Sequence, residues 1–138
     1  MKRAVKKKAD AGDSRTSVLR SAFRSFARLA EQAGEGRPLL RGLRVAQDPA
    51  ADRIVIVHGG SRVEFLLVLP GAADPLVAGV ECRRIDGTGA TEKAPLASFR
   101  FDETATVLQS TVPELVNEKV DEANGAWSIV AAVIWSAL

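Results

Sequence analysis

The chain has 138 residues, 46% of them apolar and 26% charged, with one cysteine and one histidine. That length suits one domain able to bury a core without staples, and a lone Cys82 excludes an internal disulfide framework. The formal net charge of +2 hides an imbalance: residues 1–53 hold 13 Lys or Arg against 6 Asp or Glu, and residues 54–138 hold 6 against 11. A basic front and an acidic back fit an anionic partner for the front or a head-to-tail contact between the halves. They also fit chance clustering plus a basic tail that aids solubility.

Residues 1–12, "MKRAVKKKADAG", are charged and poor in bulky apolar side chains. Such a segment buries too little to offset its ordering entropy, so a disordered basic arm is expected, with a single domain over 13–138. No apolar run follows these basic residues, so no secretory signal is expected. No stretch reaches the ~20 apolar residues of a spanning helix, and a cytoplasmic location is the expectation.

Asp13 or Ser14 suits a helix cap. After it, Leu19, Ala22, Phe23, Phe26, Leu29, Ala30 and Ala33 fall on one face at helical spacing. Arg20, Arg24 and Arg28 lie together on the other side, with Ser17, Ser21 and Ser25 beside them. Gly34 and Gly36 supply the stop.

Residues 39–47, "LLRGLRVAQ", read as a short strand or a loop, and 48–52, "DPAAD", as a turn. "RIVIV" and "RVEFLLVL" read as strands joined by the hairpin turn "HGGS". Leu66 and Val68 spoil the polar face of the second, which predicts cover on both sides of its later half. "LVAGVECRRI" and "LASFRF" form a second hairpin around the long polar link 86–95, expected to be exposed and mobile. "VPELVNEKVDEAN" predicts a helix with Pro113 in its first turn. Residues 126–138 continue that helix through Gly125, or form a strand after it. Frequent alanines favour the helix.

The expected architecture is therefore α+β: an N-terminal amphipathic helix, an antiparallel sheet of four to five strands, and a C-terminal helix packed on the sheet. No catalytic motif, cofactor fingerprint or metal signature is present. One His and one Cys, 24 positions apart, are too few for a zinc site of usual type. His58, at a hairpin end, has no visible partner carboxylate and reads as a turn residue. "GGSR" lacks the Lys-Ser/Thr pair of a phosphate loop. Cys82 shares a strand face with Arg84, a neighbour able to lower a thiol pKa, yet a small buried residue is the simpler reading. Asp102 and Glu103 are taken as surface charge at a strand end.

Two features remain. Eleven of residues 126–138 are apolar, two of them Trp, which suggests an interface built on Trp127, Val130, Ile134 and Trp135. The function expected from it is a non-enzymatic protein-binding or assembly module, self-associating as a homodimer or holding a protein partner. The alternative is nucleic-acid binding through Lys6, Lys7, Lys8, Arg20, Arg24, Arg28, Arg41 and Arg44. An enzyme or small-ligand binder with a pocket near His58 or the 86–95 link is the third reading.

Overall fold

In the computed structural model the described residues are 2–69 and 76–137, with side chains from Thr16 onward. The elements run α1 (Lys2–Gly36), a 3-10 turn (Pro38–Leu40), β1 (Arg44–Asp48), a 3-10 turn (Pro49–Ala51), β2 (Arg53–His58) and β3 (Ser61–Val68). There follow β4 (Val77–Arg84), β5 (Ala97–Asp102), β6 (Val107–Ser110), a 3-10 turn (Pro113–Leu115) and α2 (Ala123–Ser136). The backbone is helical from Lys2, so the start read at Asp13 or Ser14 is a point inside α1. The side chains of residues 1–15 lie outside the description, those of the expected basic arm over 1–12 among them.

The six strands pair in chain order, every neighbour antiparallel. The count exceeds the four to five expected. The extra strand is β6, "VLQS", four residues in which alternation has no room to show. Gly59 (φ 56°) and Gly60 (φ 89°) turn the β2–β3 hairpin with both central residues left-handed, as the two-residue hairpin requires.

Register places Ile54, Ile56, Val63, Phe65, Leu67, Ala78, Val80, Cys82, Phe99, Phe101 and Val107 on one sheet face, all buried. Both helices cover that face. From α1 come Leu19, Phe23, Phe26, Ala27, Ala30 and Ala33, and from α2 come Ile129, Val130, Val133 and Ile134. Phe26 meets Phe65 with ring centroids 5.6 Å apart. Each large side chain so buried contributes about 1.5–3 kcal/mol. The other sheet face is wet. Leu66 and Val68 point to it and Val68 is 42% exposed, so the later half of β3 is covered on one side only. Glu64 is held there by Arg53 at 2.5 Å, at 9% exposure.

The stretch read as a helix over 112–124 is not one before Ala123. It makes a single 3-10 turn, passes through left-handed Asn117 (φ 76°) and bridges Thr106 through Lys119. Bonding to the edge of β6 outcompetes the helix: Val107 and Val120 N–H donate to Glu118 and Ala105 carbonyls at 2.9 Å each. Helix α2 then begins at Ala123 and carries the apolar stretch, which settles residues 126–136 as helix. Gly125 sits inside it against the Lys119 backbone, where any Cβ would overlap the Lys119 carbonyl.

Candidate functional site

The turn Pro38–Leu40 follows directly on α1, and Pro38 holds the chain there after the helix stops. Its two leucines part company: Leu40 is buried at 3% exposure and Leu39 stands out at 71%. Opposite lies α2, whose i, i+4, i+8 series Trp127, Ala131 and Trp135 faces away from the sheet. Between them is a cleft of about 440 Å³, lined by Arg37, Pro38, Leu39, Leu40, Asn124, Trp127, Ser128 and Ala131.

Trp127 is fixed in its wall. The indole Nε1–H donates to the Leu29 carbonyl at 3.0 Å. The Arg37 guanidinium lies 4.0 Å from the ring centroid, a cation–π contact, and donates to Asn124 Oδ1 at 3.1 Å. Trp135 is 49% exposed. The site offers rigid aromatic and aliphatic surface with one clamped cation at its rim. That suits recognition of an apolar segment, because the surface is already ordered before contact.

Of the four residues expected at an interface, Trp127 borders the cleft and Trp135 lies exposed two turns further along α2. Val130 and Ile134 are at 0% exposure in the core and face no partner surface. They belong to the opposite side of a helix that is apolar all round. Leu39 and Arg37 are the residues the sequence reading missed at this place. The signal was Pro38 beside the glycine stop, which keeps the next residues close to α1.

The arginine stripe is divided. Arg20 is drawn to the left-handed Asp52, its Nε 3.1 and 3.3 Å from the two carboxylate oxygens. Arg24 and Arg28 are exposed, Arg28 reaching only the Ser25 hydroxyl at 3.3 Å. The same helix face continues into exposed Glu31 and Glu35, which offset its charge. Ser17, Ser21 and Ser25 border a second cleft of about 470 Å³ shared with Glu103 and Asp121, an acidic neighbourhood. Arg41 and Arg44 are exposed. Lys6, Lys7 and Lys8 lie outside the described side chains.

The remaining candidates are structural. Cys82 is buried at 0% exposure, and burial pushes its thiol pKa far up despite Arg83. Arg84 turns to the chain end, donating to the Ala137 carbonyl at 2.5 Å. The link 86–95 is exposed but organised: Asp86 accepts from Thr88 N–H, Thr88 hydroxyl and Ala90 N–H at 2.9, 2.5 and 3.0 Å. The Thr88 hydroxyl and these N–H groups hold the Asp86 carboxyl below its ordinary value. Asp102 does the same at the β5–β6 turn with Thr104 and Thr106. Among the described residues no three His, Cys, Asp or Glu side chains gather in a metal-holding group, and no helix is long and apolar enough to cross a membrane.

No family model, no curated protein and no solved structure matches this chain.

Proposed function

We propose that the protein is a protein-binding or assembly module. Its docking surface is the cleft between the Pro38–Leu40 turn and α2, and it takes an apolar segment of a partner chain. One observation carries the reading: Leu39, 71% exposed, lines a cleft whose wall tryptophan is already locked, and Trp135, 49% exposed, stands one helical turn beyond the lining residue Ala131 on the same face of α2. Exposed large apolar side chains grouped around a concavity mark interaction sites, whereas scattered ones do not. Tryptophan and arginine are also the side chains most enriched where binding energy concentrates.

The nucleic-acid reading has less support. Arg24, Arg28, Arg41 and Arg44 remain exposed, but Arg20 is paired and Glu31 and Glu35 share its helix face.

The test is selection of displayed peptides on the full chain, with counter-screening on Leu39→Glu and Trp135→Glu. Peptides with apolar anchors that bind the wild type and lose at least about tenfold on either variant support the reading, since each anchor is worth 1–2 kcal/mol or more. Peptides that bind both variants as tightly as the wild type overturn it.

A further inference from the structure

The two edges of the sheet are finished differently. At β6 the outer side of Val107 is bonded: its N–H donates to the Glu118 carbonyl at 2.9 Å and its carbonyl accepts from Asn117 N–H at 2.8 Å. The chain itself covers that edge at Val107. At β1 nothing does. Leu67 N–H bonds the Asp52 carbonyl at 2.8 Å, and the alternation of antiparallel bonding then turns Arg53, Val55 and Val57 toward β1. Their partners are Asp48, Ala46 and Arg44. Val45 and Gln47 thus aim their N–H and carbonyl groups outward. Among the described residues no backbone or side-chain group bonds them. An open row of this kind is a template for another strand.

We propose that β1 pairs with β1 of a second copy, antiparallel about Ala46, so that two six-stranded sheets continue across a two-fold axis. The ends of the edge set this register. Pro49 has no N–H to offer, and Leu43 N–H is already bonded to the Leu40 carbonyl at 3.0 Å. Only Val45 and Gln47 can exchange bonds, each with the other in the second copy. Ala46 then faces Ala46 in the close, non-hydrogen-bonded position, where a small side chain fits.

The charges agree with that register. Pairing about Ala46 sets Arg44 against Asp48 of the second copy, twice by symmetry. Both are exposed, and neither enters an ion pair among the described residues. Opposite charges directly across an antiparallel pair stabilise it. Helix α1 repeats the pattern. It runs along β1 in the opposite direction, with Gly34 against the Leu43 backbone and Arg24 beside Gln47 and Pro49. The same axis sets two α1 helices antiparallel, and the basic Arg24 and Arg28 of one then run toward the acidic Glu31 and Glu35 of the other. Such a surface is complementary to itself, as a two-fold interface demands.

The interface uses no residue of the Pro38–Leu40/α2 cleft, so the two readings fail separately. The experiment is sedimentation velocity over a concentration series of the full chain. The wild type is expected to dimerise. Arg44→Asp and Asp48→Arg alone should each weaken the dimer about tenfold or more, by placing like charges across the axis. An equal mixture of R44D and D48R should dimerise again, because each end then carries opposite charges; the double variant R44D/D48R should dimerise by itself. Leu39→Glu should leave dimerisation unchanged. Unaltered melting temperatures of the monomeric forms separate lost pairing from lost folding. A wild type that stays monomeric throughout overturns the proposal, as does a dimer indifferent to both single variants. Single variants that lose the dimer and do not recover it on mixing overturn it too. A dimer broken only by Leu39→Glu moves self-association to the cleft and leaves the β1 edge without a role.

Discussion

A few side chains set limits that a melting or labelling experiment reads directly. Gly125 is required by contact, since a Cβ there overlaps the Lys119 carbonyl. Gly125→Ala should therefore destabilise the protein by about 2 kcal/mol or more in denaturant melts, although alanine is the better helix former. Cys82 is enclosed and its thiol held protonated. The native protein should react negligibly with a disulfide reagent at neutral pH and stoichiometrically once unfolded; fast native labelling would place Cys82 elsewhere. Burial raises the Asp102 carboxyl, but the Thr104 hydroxyl and the N–H groups of Thr106 and Thr104 outweigh it, and the net shift is downward. A depressed folded pKa means stability present above the unfolded value of about 3.9 and lost as pH falls through the folded one. The melting-temperature gap between wild type and Asp102→Asn should thus be full at neutral pH and close below about pH 4. These three residues differ in legibility. Burial of Cys82 was readable from its place in an apolar strand. The close approach at Gly125 and the turn held by Asp102 depend on contacts made by the folded backbone.

At the scale of elements, periodicity reads well where one face alone is buried. The apolar face of α1 came out residue by residue, from Leu19 to Ala33, because a helix on a sheet has one dry side. The hairpin glycines were equally plain, since positive φ at two successive positions leaves few other choices. The stretch 112–124 misled as far as Glu122 because its charges and Pro113 suit a helix start, while its backbone finds better partners along β6. Strand β6 was missed for a related reason: its outer neighbour is not a strand but that same stretch, so neither piece announces the other. Helix α2 is apolar on both sides, and sequence alone does not say which side stays outside. Val130 and Ile134 went to the core and Trp135 to the surface. Phe26 links α1 to β3, and Phe26→Ala should cost about 3–5 kcal/mol in equilibrium unfolding, with loss of the cooperative packing of α1.

The whole molecule spends part of its uneven charge on itself. Arg53 binds Glu64 across the sheet, and Arg62 donates to the Asp86 carbonyl at 3.1 Å. Acidic Glu103, Glu114, Asp121 and Glu122 stay exposed elsewhere, whereas the charge left at the α1/β1 side alternates in sign. That arrangement suits contact with a like surface better than contact with a polyanion. The cleft by α2 is the other unspent surface, apolar where the β1 edge is charged. A dimer through β1 would carry two such clefts, and a partner bearing two apolar segments would gain from both. The sequence showed the tryptophans and the arginines but not their division between wall, core and edge, because that division is made by the fold.

The most direct measurement is the affinity of one selected apolar peptide, carrying a fluorescent label, for the wild type, Leu39→Glu and R44D. The expected result is tight binding to the wild type, at least about tenfold weaker binding to Leu39→Glu, and single-site affinity unchanged in R44D. Equal affinity for the wild type and Leu39→Glu would contradict the assignment of the cleft as the docking surface.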